Sequence, residues 1–126
     1  TLAVARLGRQ AVADGVGRLS MLASGHLIKR ARVLVSNDSA PVHLASAVNT
    51  ATLEIYGPTA PIFGYAARAA WSRVVEPEPL SCRPCNKHGP AVCPLVHHKC
   101  MRDIPIGRVL AEVRAILQIV RKTGGM

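Results

Sequence analysis

Short apolar runs and helix-like segments alternate along the centre of this chain. Residues 32–36 and 51–56 are rich in β-branched apolar side chains and are bounded by polar or glycine-containing turns, which is typical of buried strands. Residues 72–75 continue the pattern as a third, shorter strand. Because helical segments separate these runs, the order predicts an α/β fold in which helices pack on a parallel sheet of about three strands, a three-layer arrangement.

Helix signals flank the predicted strands. Ser20 is placed to cap a helix over 21–31, and Pro41 lies in the first turn of a helix over 40–48, where a missing N–H costs least. The alanine-rich residues 60–70 predict a brief helix. In the first of these helices we expect four side chains to face inward, namely Leu22, Leu27, Ile28 and Ala31.

The C-terminal part of the chain divides into a loop and a helix. Residues 76–101 contain five Pro, four Cys and three His without apolar periodicity, so their order must come from something other than hydrophobic burial. Asp103 is expected to cap a final amphipathic helix that ends at Gly124 and Gly125. The predicted apolar stripe of that helix is Val109, Leu110, Val113, Ile116, Leu117 and Val120.

The 126 residues correspond to one domain or to part of a larger one, with 16 basic and 7 acidic residues and a net charge of +9. A basic chain suits phosphate groups, nucleic acid or an anionic membrane surface. Nucleic acid is disfavoured because aromatic residues are only 3% and no run of consecutive Lys or Arg resembles a nucleic-acid-binding arm. No apolar run approaches the ~18 residues of a transmembrane helix, and no signal peptide is visible.

The junction after the first strand is the first candidate site. Asp38 or Ser39 is expected to cap the following helix, whose first main-chain N–H groups would face an anion, with His43 one turn further in. Gly57 and Thr59 follow the second strand, and neighbouring strand ends of a parallel sheet share one edge. The alternative is a purely structural cap with a core histidine and a turn that binds nothing.

A second candidate site is the cysteine cluster Cys82, Cys85, Cys93 and Cys100, with His97 and His98 beside it. Thiolate and imidazole groups at such spacings are typical zinc ligands, and a metal would order a proline-rich loop. Two alternatives stay open: reduced structural thiols, or disulfides in an oxidising compartment.

Four of these stretches together resemble the ADP-heptose–lipopolysaccharide heptosyltransferases of glycosyltransferase family 9. The matching segments are Ser36-Asn-Asp-Ser-Ala-Pro-Val-His-Leu-Ala45, Tyr56-Gly-Pro-Thr59, Cys82-Arg-Pro-Cys85 and Cys93-Pro-Leu-Val-His-His-Lys-Cys-Met101. Residue 40 is Ala where the family commonly has Gly. The resemblance runs from about residue 15 to the end of the chain, and the cysteine-containing tail makes it specific.

The resemblance implies that residues 1–126 are the last part of the second, nucleotide-sugar-binding domain of a GT-B enzyme, a Rossmann-like fold. It implies binding of ADP-heptose or ADP near Asp38, Ser39, Ala40 and His43, with Gly57 and Thr59 beside them. It also implies inverting transfer without a catalytic cofactor, a cytoplasmic location and peripheral contact with the inner membrane.

Three further expectations follow. The family's acceptor domain with its general base is not matched by this sequence, so we expect the chain alone to have little or no transferase activity. The strand at 31–36, without earlier strands beside it, is expected to form an exposed apolar edge that is covered in a homodimer or by another chain. The alternative function is a non-catalytic basic binding or assembly module with a cysteine-clamped loop; zinc-dependent nucleic-acid binding ranks last.

Overall fold

The computed structural model describes residues 13–123, whose sheet contains three parallel strands in the order β1-β2-β3. The strands are β1 (Leu34–Asn37), β2 (Thr52–Ile55) and β3 (Arg73–Val75). In the register, Ser36 lies beside Glu54, and Glu54 lies beside Val74. The predicted α/β fold with about three parallel strands is therefore confirmed, with strand bounds that differ by one or two residues from the expected ones.

Within residues 13–123, four α-helices and one 3-10 turn accompany the sheet. The helices are α1 (Met21–Arg30), α2 (Ala40–Ala47), the single turn α3 (Lys99–Arg102) and α4 (Ile106–Lys122). Helix α2 packs on β1 and β2, whereas α4 packs on β2 and β3. The helix expected over 60–70 is wrong for most of its length, since only the 3-10 turn Pro61–Phe63 forms there before Gly64 ends it at a φ of +85°.

The hydrophobic core lies between the sheet and α4. Side chains alternate along a strand, so the central strand β2 contributes Leu53 to this core and Glu54 to the opposite face. From α4, Ile116 is fully buried, as its position in the predicted apolar stripe requires, whereas Leu110 of the same stripe is exposed. The core consists of Ala51, Leu53, Val75, Ile104 and Ile116, with Val33, Ile55, Val109, Val113 and Val120 packed against it.

The predicted cap residue is confirmed at the start of one helix and is wrong at the start of another. Ser20 caps α1 as predicted, because its Oγ accepts the N–H of Ala23 at 3.2 Å. Asp103 does not cap α4, since it follows α3 and the longer helix starts only after Pro105. The expected end of that helix at Gly124 lies outside the described residues; the last described helical residue is Lys122, followed by Thr123 as its cap.

The inward face expected for α1 is wrong at three of its four positions, since Leu22, Leu27 and Ala31 are exposed and only Ile28 is half-buried. Leu22 is 85% exposed and Leu27 is 60% exposed, and none of the helix residues is buried. The reason is tertiary: α1 touches α2, but no described strand lies beneath it. Val35 on the edge strand β1 is also 46% exposed. Among residues 13–123, β1 therefore has no further strand beside its outer edge.

Candidate anion-binding site

The strand-to-helix junction after β1 places Asp38 and Ser39 at the carboxyl edge of the sheet. Ser39 is the residue that precedes α2, but its hydroxyl donates to the carbonyl oxygen of Asn37 at 3.2 Å rather than capping the helix. The Asp38 carboxylate is engaged elsewhere, because its Oδ2 accepts a hydrogen bond from the Thr59 hydroxyl. The expectation that either side chain caps the helix is thus wrong.

The first main-chain N–H groups of α2 are consequently available. Pro41 has no N–H, and the N–H of Val42 donates to the carbonyl oxygen of Ser39 at 2.9 Å. The N–H groups of Ser39 and Ala40 have no acceptor among residues 13–123. Unpaired N–H groups at the positive end of a helix dipole favour an anionic ligand.

The turn after β2 is hydrogen-bonded to this junction. The Asp38–Thr59 hydrogen bond joins the two strand ends directly, which confirms that the two predicted turns lie together. Thr59 is only 2% exposed and Gly57 is buried, so both lie behind the surface of the site. A Cβ built at Gly57 would lie 2.9 Å from Cγ of Met101, so a side chain there would require the Met101 side chain to move.

Arg83 ties the same turn to the end of β3. Its Nε donates to the carbonyl oxygen of Gly57 at 2.6 Å, and its Nη2 lies 2.6 Å from Oε1 of Glu76. The Arg83 side chain is 11% exposed, whereas that of Glu76 is 37% exposed. One guanidinium group therefore bridges the carboxyl-end loops of two neighbouring strands with charge-assisted hydrogen bonds.

A cavity of about 170 Å³ opens at the junction. Its lining residues are Asp38, Ser39, Ala40, His43, Tyr65, Lys87 and His88. Four of the six predicted binding residues thus line one cavity, whereas Gly57 and Thr59 do not. The sequence reasoning missed Tyr65, Lys87 and His88 as lining residues. The acid-free basic stretch after Glu78 was the available signal for the last two, but nothing local indicated where that stretch would fold.

A buried glutamate lies beneath the site on the α2 face of the sheet. Glu54 is fully buried, and its Oε2 accepts the N–H of Ala67 at 2.9 Å. Its Oε1 and the hydroxyl of Tyr56, two residues further along the chain, have no hydrogen-bond partner among residues 13–123. Burial raises the pKa of the Glu54 carboxyl, and the nearby Asp38 carboxylate raises it further, against the bond from Ala67.

The four cysteines of the cluster lie around one cavity, but they are not arranged as a metal centre. The four predicted cysteines and His97 line a cavity of about 330 Å³, and all four are free thiols. Main-chain N–H groups of residues 95–98, that of His98 most of all, lower the pKa of the Cys93 thiol. Cys82 Sγ lies 3.9 Å from Nε2 of His97. Within residues 13–123 no three such side chains are arranged to hold an ion, so the structure does not support the zinc expectation.

The helices of residues 13–123 include none that is both long and apolar enough to cross a membrane.

A parallel α/β sheet with helices packed on both faces places this domain in the Rossmann-like class of folds. Comparison with known families makes this assignment specific. The model of glycosyltransferase family 9 (heptosyltransferase) matches residues 3–92, and the chain belongs to this family. The family resemblance carried by the sequence motifs is thereby confirmed.

Curated relatives are similar over most of this chain. The chain is 31% identical over 90 residues to lipooligosaccharide heptosyltransferase 2 of Campylobacter jejuni serotype O:2, covering 68% of the chain and 26% of the relative. It is 28% identical over 103 residues to the protein of the same name from Haemophilus influenzae, covering 80% and 28%. The chain thus spans about a quarter of the length of these relatives. No solved structure matches it.

Proposed function

We propose that residues 1–126 form part of the nucleotide-sugar-binding domain of an inverting heptosyltransferase of lipopolysaccharide synthesis, with a GT-B architecture in the whole enzyme. In this proposal the chain binds the diphosphate of ADP-heptose on the cytoplasmic side of the inner membrane. Family membership supports the ligand class. The observation that carries the site is the cavity where the unpaired N–H groups of Ser39 and Ala40 meet His43.

Each residue of the site has its own proposed role in binding the ligand. The N–H groups of Ser39 and Ala40 donate to phosphate oxygens, and His43 adds a ring nitrogen from one turn further into α2. The same N–H groups would stabilise the negative charge that develops on the ADP leaving group as the glycosidic bond breaks. Asp38 and Thr59 hold the two turns in register through their hydrogen bond, so Thr59 acts as a positioning residue.

Titration calorimetry with ADP tests the proposal. We expect the wild-type chain to bind ADP and His43→Ala to bind about tenfold more weakly, the typical effect of losing one hydrogen bond to a charged group. His26→Ala is the matched control, because His26 is an exposed histidine of α1 outside the cavity lining, and it should leave affinity unchanged. Absence of ADP binding by the wild type would overturn the proposal and favour the non-catalytic basic module.

We further propose that these residues alone do not transfer heptose. Asp38 is the one carboxylate lining the cavity among the described residues, and the Thr59 hydroxyl occupies one of its oxygens. It is therefore a poor general base for an acceptor hydroxyl. Transfer of heptose from ADP-heptose to a lipid A–Kdo acceptor by the isolated chain would show this proposal to be wrong.

A further inference from the structure

The wall of the cavity opposite α2 comes from the loop that contains the cysteines. Lys87 and His88 line the cavity, although they lie more than forty positions after His43 in the chain. His88 also faces Tyr65, with ring centroids 6.2 Å apart and the rings tilted by 32°. Lys87 is an exposed lysine, and the contacts of its loop backbone are what place it at the cavity.

Two contacts fix the loop on either side of Lys87. The N–H of Cys85 donates to the carbonyl oxygen of Pro58 at 2.8 Å. Gly89, at a φ of +72°, lies so close to the same proline that a Cβ built there would be 3.0 Å from Pro58 Cγ. Between them, Asn86 Oδ1 accepts the N–H of His88 at 2.9 Å and closes the turn.

The Lys87 backbone is therefore anchored to Pro58, which is followed directly by Thr59, the partner of Asp38. The cationic side chain and the helix N-terminus consequently belong to one connected unit. Both contacts join groups of the protein itself, so the chain holds this loop in position beside the cavity.

Lys87 balances the one carboxylate of the cavity lining. Among the described residues, the lining contains one carboxylate, Asp38, and one ammonium group, Lys87, besides two histidines. Without the lysine, no ammonium group would stand against the Asp38 carboxylate. The Asp38 carboxylate would then repel a bound diphosphate, and no ammonium group of the lining would offset that repulsion.

We infer that Lys87 determines specificity for a diphosphate over a monophosphate, its ammonium group contacting the phosphate that the α2 N-terminus does not hold. This inference rests on the proposed function. It assigns the cysteine-containing loop a role in recognition: the loop carries a ligand contact to the cavity. His88, whose ring lies tilted near that of Tyr65, lines the same cavity and limits where that phosphate lies.

The test compares ADP, AMP and adenosine by titration calorimetry of the full 126-residue chain. Lys87→Ala should weaken ADP binding about tenfold and leave AMP binding within about twofold, so that the preference for ADP is lost. Lys87→Arg should restore most of the preference, because it restores the charge. Lys99→Ala is the matched control: it removes the same charge from an exposed residue outside the cavity lining, and the preference should persist.

A second variant tests the anchoring without touching ligand. Gly89→Ala is strained at its positive φ and presses on Pro58, so it should weaken ADP binding while leaving the helix N-terminus intact. An unchanged ADP preference in Lys87→Ala, or an equal loss in Lys99→Ala, would overturn the inference and leave the proposed function standing. If the wild-type chain binds no ADP, the proposed function and the inference both fail.

Discussion

Replacing Arg83 with Met tests whether the loops that build the site are held by one guanidinium group. Met keeps most of the apolar stem and removes the charge and the donors. The Gly57 carbonyl would lose its 2.6 Å hydrogen bond from Nε, and the Glu76 carboxylate would lose its 2.6 Å ion pair. Because Gly57 is buried, its carbonyl has little access to water as a replacement partner.

The magnitude follows from the exposure of each partner. A hydrogen bond from a charged donor to a buried carbonyl contributes about 1.5–3 kcal/mol. The ion pair contributes less, about 0.5–1 kcal/mol, since Glu76 is 37% exposed and water screens it. We therefore expect Arg83→Met to lower the free energy of unfolding by about 2–4 kcal/mol, a large part of a typical domain's ~5–15 kcal/mol.

Urea unfolding followed by the fluorescence of Trp71, the single tryptophan, measures this loss. Arg73→Met is the matched control, because Arg73 forms an ion pair of similar length, 2.7 Å, with Glu112 at 42% and 31% exposure. That pair faces solvent, so its removal should cost less than ~1 kcal/mol. Equal losses in the two variants, within about 0.5 kcal/mol, would refute the assignment of Arg83 as the bridge between the strand ends.

Three further predictions concern the buried carboxylate, the junction of the turns and the sheet edge. Because the pKa of Glu54 is raised above its ordinary value of 4.5, the stability that this carboxyl group contributes is complete below that value and is lost as pH rises through the raised pKa. Glu54→Gln should therefore reduce the fall of the free energy of unfolding with rising pH, measured by urea unfolding at several pH values. An unchanged pH dependence would contradict this prediction. Thr59→Val removes the donor to Asp38 and should cost about 1–2 kcal/mol in urea unfolding, whereas Thr59→Ser should recover most of it. Since β1 is an edge strand with Val35 exposed, we expect the chain to dimerise and Val35→Lys to shift it to monomer in light scattering; a wild type that stays monomeric at high concentration would exclude this dimer.

Local sequence signals predicted the elements whose formation depends on near neighbours. The β-branched run before Asn37, the cap at Ser20 and the apolar stripe around Ile116 each act within a few residues, and each formed nearly where expected. The family motif around His43 was likewise recognisable from the residues alone. Such signals are less reliable at the ends of elements: Asp103 follows the separate turn α3 instead of capping α4, whose cap position is Pro105.

Only the tertiary structure decided which residues share the cavity and which partners each polar group takes. The sequence placed Asp38 at a helix start, yet its carboxylate accepts from Thr59, twenty-one positions away. The same holds for Lys87, which reaches the cavity through contacts to Pro58, and for Glu54, whose burial follows from packing beneath α2. Periodicity and capping report on interactions within one or two turns of chain, whereas a site at the edge of a parallel sheet is built from loops that meet only after the strands have paired.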